Sequence, residues 1–198
     1  MRFIAVAFIL SIAAPPAALA ADAQGRFAVR NAGMMSCADF VKEKVPQTPK
    51  LGQYLGWLDG YLSAVNQYTP QTYDVIPWGN TLFLATLLEN YCKKHPEERF
   101  YLAVNKLAAS MLPQRLSEAS ELIRAKYKNN ETFIYQATLA RVQTYLHDKG
   151  YYKGKADGQW NDNTRHALEA YQKEHKLTVT GLPDQLTLYL IFKDLAEQ

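Results

Sequence analysis

The sequence predicts an all-α protein made of two small helical units, the first stapled by a disulfide. Three observations carry that expectation. Apolar residues recur at steps of three and four in several stretches, the only two cysteines both lie in the first half, and a glycine-to-threonine spacing occurs twice near the C-terminus. Of the 198 residues, 48% are apolar and 21% charged, which fits globular protein and excludes a wholly disordered chain. A net charge of +3 with no Lys/Arg cluster gives no footprint for nucleic acid, so nucleic acid is not an expected partner. Beyond residue 20 no apolar run is long enough to span a bilayer, and no membrane contact is expected once the leader is cleaved.

Residues 1–20 read as a signal peptide. Arg2 is a one-charge n-region, Phe3 to Ala14 is almost unbroken apolar sequence, and Pro15-Pro16 ends any helix there. Ala18-Leu19-Ala20 is a small-x-small cleavage site, so export to the periplasm is expected. In an oxidising compartment the default for Cys37 and Cys92 is a mutual disulfide, whereas a redox pair needs close spacing such as Cys-x-x-Cys. Closing a loop of that length removes about 4 kcal/mol of denatured-state entropy.

Residues 21–113 form the first unit, with 21–33 as a loose leader. Leu51, Leu55, Leu58, Leu62 and Val65 lie on one helical face that ends at Tyr68-Thr69-Pro70. Phe83, Leu84, Leu87, Leu88 and Tyr91 predict a second helix, with Lys93, Lys94 and His95 in its last turn. Pro96 suits the first position of a third helix, with Glu97 and Glu98 in its first turn, continued by Phe100, Val104, Leu107 and Met111. Residues 114–130 are richer in charge, with only a thin stripe (Leu116, Ala119, Leu122, Ile123), and predict an exposed helical connector. Lys126 to Glu131 is the expected break between units, whose cores are expected to be separate. Each half after residue 20 carries one excess positive charge, so charge alone assigns neither half a partner.

Residues 131–198 predict three short helices around one core, from the stripes Leu139, Val142, Leu146, then Leu168, Tyr171, then Leu186, Leu190. Gly158 to Thr164 and Gly181 to Thr187 share one spacing, which reads as turn glycine, cap and helix, used twice. Asp162 or Asp184 can accept from free N–H groups at a helix start. From Val142 onward the chain reads Val-Gln-x-x-Leu, Gly150-Tyr-Tyr, Ala-Asp157-Gly158-Gln-Trp160, Thr164-x-x-Ala167-Leu, Tyr171-Gln172, Leu177, Thr180-Gly181, Asp184 and Thr187. This closely resembles the peptidoglycan-binding module appended to many cell-wall hydrolases, over roughly Ile134 to Phe192. The resemblance implies peptidoglycan as partner and a three-helix fold. Asn161 stands where that family usually has glycine after the aromatic, and Asn tolerates a left-handed backbone best among the other residues. A shallow groove with hydrogen-bonding groups and aromatic faces is what such a ligand needs. Tyr152, Asp157, Gln159, Trp160 and Asn161 cluster at the turn before the second helix and are the candidate binding residues. Core packing competes for Tyr152 and Trp160. Gln143 and Gln172, beside apolar positions, read as partners for buried backbone groups rather than as ligand contacts.

Ser36-Cys37-Ala-Asp-Phe40, Gly56-Trp57-Leu58-Asp59-Gly60-Tyr61 and Tyr91-Cys92 with Pro96 and Phe100 behind resemble the HdeA family. Those are small periplasmic all-α proteins with one disulfide, some of them acid-activated chaperones, and the resemblance implies a protein client as a further partner. Trp57, Tyr61, Tyr68, Tyr73 and Trp78 make this unit aromatic-rich, for packing or for a client or glycan surface. No catalytic constellation is legible. The four histidines include no HExxH, there is no Gly-x-Ser-x-Gly or Ser-x-x-Lys, and the cysteines are expected to be bonded. Glu89 is the only acid flanked by a long apolar stretch, and a glycosidase needs a second, opposed carboxylate. No metal or cofactor is expected. The function that follows is non-catalytic binding to the cell wall, with a wall-localised acid-stress chaperone or an accessory, weak wall hydrolase as alternatives.

Overall fold

Ser36 starts the first helix of the computed structural model, which describes residues 21–197 except Ala23. The expected signal peptide, residues 1–20, lies outside the described residues. Ser36 accepts the Asp39 backbone N–H while Asp39 reaches back to the Ser36 N–H, a reciprocal cap that opens α1 (Cys37–Lys44). α2 (Leu51–Tyr68) ends where Thr69-Pro70 predicts, and α3 (Thr81–Cys92) begins at an Asn80 cap on the Phe83 N–H. α4 spans Phe100–Met111. Phe40, Tyr54 and Phe100 meet ring to ring at 4.7–5.3 Å, beside the fully buried Cys37–Cys92 disulfide.

Two expectations for this unit need correction. The third helix does not start at Pro96. Pro96 and Glu98 turn their carbonyls to Ala38 N–H (2.9 Å) and Cys37 N–H (2.7 Å), satisfying donors at the start of α1, so helical geometry begins only at Phe100. Lys93, Lys94 and His95 accordingly lie beyond the end of α3 rather than in its last turn. The leader is not wholly loose either. Asn31–Met34 form a 3-10 turn that buries Ala32 and Gly33, and a Cβ at Gly33 would sit 2.3 Å from the Trp57 ring.

The predicted connector, residues 114–130, is not helical: an irregular stretch runs to 121 and a β-hairpin follows. β1 (Leu122–Tyr127) pairs antiparallel with β2 (Asn130–Tyr135) around Lys128-Asn129, so Lys126 to Glu131 is the hairpin tip and not a linker. The fold is therefore helical with one small sheet rather than strictly all-α. The reason is a period of two: Ala125 and Ile134 face inward and are buried, while their neighbours Arg124, Lys126 and Phe133 are exposed. Leu116 is buried by a different route, exchanging backbone hydrogen bonds with Asp74 in the loop after α2. Arg124 and Glu131 pair across the strands.

α5 (Gln136–Asp148), α6 (Asp162–Glu174) and α7 (Gln185–Ala196) then form the expected three-helix unit. In α5 and α6 the buried Leu139, Val142, Leu146, Leu168 and Tyr171 lie on the predicted stripes, but α7 turns its Leu188, Ile191 and Phe192 face inward, leaving the expected Leu186 exposed and Leu190 half-buried, because the Asp184 cap and the buried Thr187 fix its rotation. The two units do not have separate cores. Trp78, 3% exposed, stacks on Phe192 at 5.8 Å, and the buried apolar residues of both halves form one continuous cluster. Arg141 adds hydrogen bonds to the Gln114 and Arg115 carbonyls, and Gln185 joins α7 to the Trp78 carbonyl and the Asn80 N–H. Among the described residues no helix is long and apolar enough to cross a membrane.

Candidate peptidoglycan-binding site

Two buried glutamines explain the repeated spacing near the C-terminus. Gln143 Oε1 accepts the Gly158 N–H at 2.7 Å, while its Nε2 donates to the Gln159 carbonyl and to Thr164 Oγ1. Gln172 repeats the arrangement one helix later: Oε1 accepts the Gly181 N–H at 2.9 Å, and Nε2 meets Thr187 Oγ1, the Leu182 carbonyl and Thr180 Oγ1. Both glycines have positive φ, +73° and +67°, and both threonines are fully buried. At Gly158 a Cβ would also lie 2.2 Å from the Gln136 carbonyl oxygen, so that position admits only glycine without rearrangement. Each glycine–threonine pair is thus a turn and the start of the next helix, pinned from below by one glutamine. Gln172→Leu keeps the volume but strands the Gly181 N–H. An unsatisfied buried donor costs about 1–3 kcal/mol, so this variant is expected to lower the urea midpoint without changing the slope.

That pinning sets the geometry of the predicted site. The Asp157 carbonyl takes Gln136 Nε2, and its carboxylate Oδ1 accepts the Gln159 N–H at 3.0 Å. Gln159 is exposed, with its backbone carbonyl held by Gln143. Trp160 is half-buried, and its indole N–H donates to the Lys126 carbonyl of the hairpin at 3.2 Å. Asn161 is exposed and accepts the Thr164 N–H, so it caps α6. Its backbone is extended (φ −154°), so Asn stands here for its capping oxygen and not for a left-handed turn. Asp162, a suggested cap, is instead the first helical residue and pairs with Arg165, while Asp184 does cap α7. Tyr152 lies beneath the loop rather than on it: it is 3% exposed and its hydroxyl donates to the Lys155 carbonyl. The structure therefore brings Asp157, Gln159, Trp160 and Asn161 together along one edge, with Tyr152 supporting that edge from inside. The hairpin completes the support, since the Arg165 guanidinium lies 4.5 Å from the Tyr127 ring centroid.

What this edge offers is acceptor groups at Asp157 and Gln159 beside an indole face, on a backbone held rigid by buried amides. That chemistry suits sugar hydroxyls and amide N–H groups. Glu89 does not resemble a general acid. Lys93 and then Lys44 bond its carboxylate and hold it below the usual glutamate range, opposite to the raised value that proton donation requires. Among the described residues no three His, Cys, Asp or Glu side chains gather as a metal site would need.

Residues 136–191, from the start of α5 into α7, match the family model described as "Putative peptidoglycan binding domain". A peptidoglycan-binding domain thus accounts for the C-terminal three-helix unit, and its limits enclose both glutamine-pinned turns. No curated protein and no solved structure matches the chain.

Proposed function

We propose that this chain is an exported, non-catalytic protein that binds peptidoglycan through its C-terminal unit and positions an HdeA-like helical unit at the wall, in the periplasm. The observation that carries the reading is the peptidoglycan-binding domain at residues 136–191, in a chain whose other half offers a disulfide-stapled helical unit. The contact edge is Asp157, Gln159, Trp160 and Asn161, with Tyr152 beneath. Retention of the full chain on purified sacculi tests it, and no retention ends it. Asp157→Asn sharpens the test, because Asn keeps both the acceptor for the Gln159 N–H and the preference of Asn-Gly for a tight turn. Only the charge is removed. A hydrogen bond to a charged group contributes about 1.5–3 kcal/mol, so retention is expected to fall while the melting temperature holds. Unchanged retention places the ligand away from this edge.

A second reading, a wall-localised acid-stress chaperone, is favoured by two carboxylates at the disulfide end of the first unit. Glu98 is held below the ordinary value of 4.5 mainly by Lys106, with Tyr91 and His95 adding to it, and Glu89 likewise by Lys93 and Lys44. A depressed carboxylate contributes stability above its unfolded value and loses it as pH falls through the folded value. Asp74, raised mainly by burial, works in the opposite direction, its contribution being present at low pH and lost as pH rises. The melting temperature of the native chain is expected to drop as pH falls below about 4.5, where unfolded-state glutamates protonate, and Glu98→Gln is expected to flatten that drop. Parallel curves for the two proteins would remove Glu98 from the acid response. Suppression of client aggregation at low pH then decides between a chaperone and a passive wall-bound unit.

A further inference from the structure

The last turns of α5, α6 and α7 converge on a groove of about 430 Å³, at the end of α6 opposite the Asp157 edge. Its floor is aromatic. Tyr171 is buried and meets Tyr145 edge-to-face at 5.9 Å and Tyr151 at 5.6 Å, while His175 lies over it at 4.1 Å. Three helix C-termini direct their partial negative charge toward this space. Glu174, Asp194 and Glu197 line it against Lys149 and Lys193, so its formal charge is negative as well. An acidic, tyrosine-floored groove of this size selects a small cationic group.

Where that cation sits is marked by the protein's own lysine. Lys149 Nζ lies 2.9 Å from the Asp194 carboxylate and 5.4 Å from the Tyr145 ring centroid. Asp194 is at the same time fixed by the Tyr145 hydroxyl, which donates to it at 2.7 Å. The Lys149 and Asp194 side chains are 43% and 39% exposed, so the pair is a rim contact of little net strength, and a second ammonium can displace it. We propose that this groove binds a primary ammonium group carried on a short peptide, seated between Asp194 and the face of Tyr145 where Lys149 now lies. The inference rests on the wall-binding reading, because amines in that polymer belong to its peptide stems, whereas the sugar nitrogens are acylated. It adds a peptide-reading site distinct from the Asp157 edge.

The test uses the full chain on native sacculi and on sacculi whose amines have been acetylated. Losing a charge-assisted contact is expected to lower retention by about tenfold or more on the acetylated material, and Asp194→Asn to do the same on native sacculi. Lys149→Met, which takes the lysine's own ammonium out of the place between Asp194 and the Tyr145 ring, is expected to tighten binding of 1,5-diaminopentane, read from the NMR signals of Tyr145 and Tyr151. If Asp194→Asn does not fold, the acetylation arm and Lys149→Met carry the decision. Equal retention on native and acetylated sacculi overturns the ammonium site and leaves wall binding standing. No retention on native sacculi overturns wall binding itself, and the diamine titration then decides the groove alone, where unmoved tyrosine signals overturn it.

Discussion

Cys37→Ser is expected to cost about 4 kcal/mol, the denatured-state entropy that a cross-link over 55 residues removes, and to leave Cys92 as a free thiol. The bond ties the first turn of α1 to the last turn of α3, and both sulfurs are fully buried. Without it, the backbone hydrogen bonds from Cys37 and Ala38 to the 96–98 loop lose their main anchor. Separate cores would let the C-terminal unit melt normally while the first unit melts early. The continuous core predicts otherwise. Loosening α3 disturbs Phe83, which packs on Trp78 and on Tyr189 of α7, so the far-ultraviolet and tyrosine signals of both units are expected to shift down together. Differential scanning calorimetry of the purified chain checks this, and thiol titration of the native, non-reduced protein is expected to find no reactive cysteine. Two reactive thiols would contradict the staple, and an unshifted C-terminal transition would contradict the coupling.

Long amphipathic stripes are legible in the sequence. α2, α3, α5 and α6 fall where the three-and-four spacing puts them because each buries one face, and one face is what periodicity reports. The hairpin was not readable as such. Only Ala125 and Ile134 are fully buried in it, one small residue and one large, so the period-two signal is thin against a background of charge. The start of α4 is hidden for a different reason: Pro96 obeys a local helix rule, but its carbonyl is claimed by a helix some 60 residues earlier in the chain, and local rules do not see that.

At the candidate site the legible part was the turn. Gly158 and Gly181 advertise themselves because their positive φ restricts which residues fit, and the two threonines because they recur at the same spacing from them. Gln143 and Gln172 read in the sequence only as satisfiers of backbone groups, although Gln143 fixes the Asp157 edge and Gln172 the matching turn before α7, because a buried amide and a surface amide look alike in sequence. The repeated glycine–threonine spacing was the signal, read with a glutamine preceding each pair. The tyrosine-floored groove had no such signal. Its walls come from three helix ends and one loop, brought together only by packing.

Trp78→Ala is the complementary experiment to cutting the disulfide, since it removes the stacked ring at the joint between the units and leaves the helical bundle of each in place. The indole is 3% exposed and lies nearly parallel to Phe192, and its N–H donates to Gln114 Oε1 at 3.0 Å. Gln114 in turn donates to the Phe192 carbonyl at 2.8 Å, so one side chain organises a stacked and hydrogen-bonded joint between the loop before α3 and the end of α7. Truncating a buried aromatic costs about 3–5 kcal/mol, and here the loss falls on the joint rather than on either helical bundle. The single transition of the native chain is therefore expected to split in two, with the disulfide-bonded unit and the three-helix unit melting separately. Trp78→Phe keeps the ring but not the N–H, and is expected to retain one transition at a lower temperature, because stacking survives while Gln114 loses its donor. Retention on sacculi at a temperature below both transitions is expected to stay at the native level for both variants, since the hydrogen bonds that hold the Asp157 edge run to Gln136 and Gln143 of α5 rather than to the Trp78 joint. A single, barely shifted transition in Trp78→Ala would mean that the joint does not couple the units. Lost retention in a folded Trp78→Ala would mean that the first unit takes part in binding the wall.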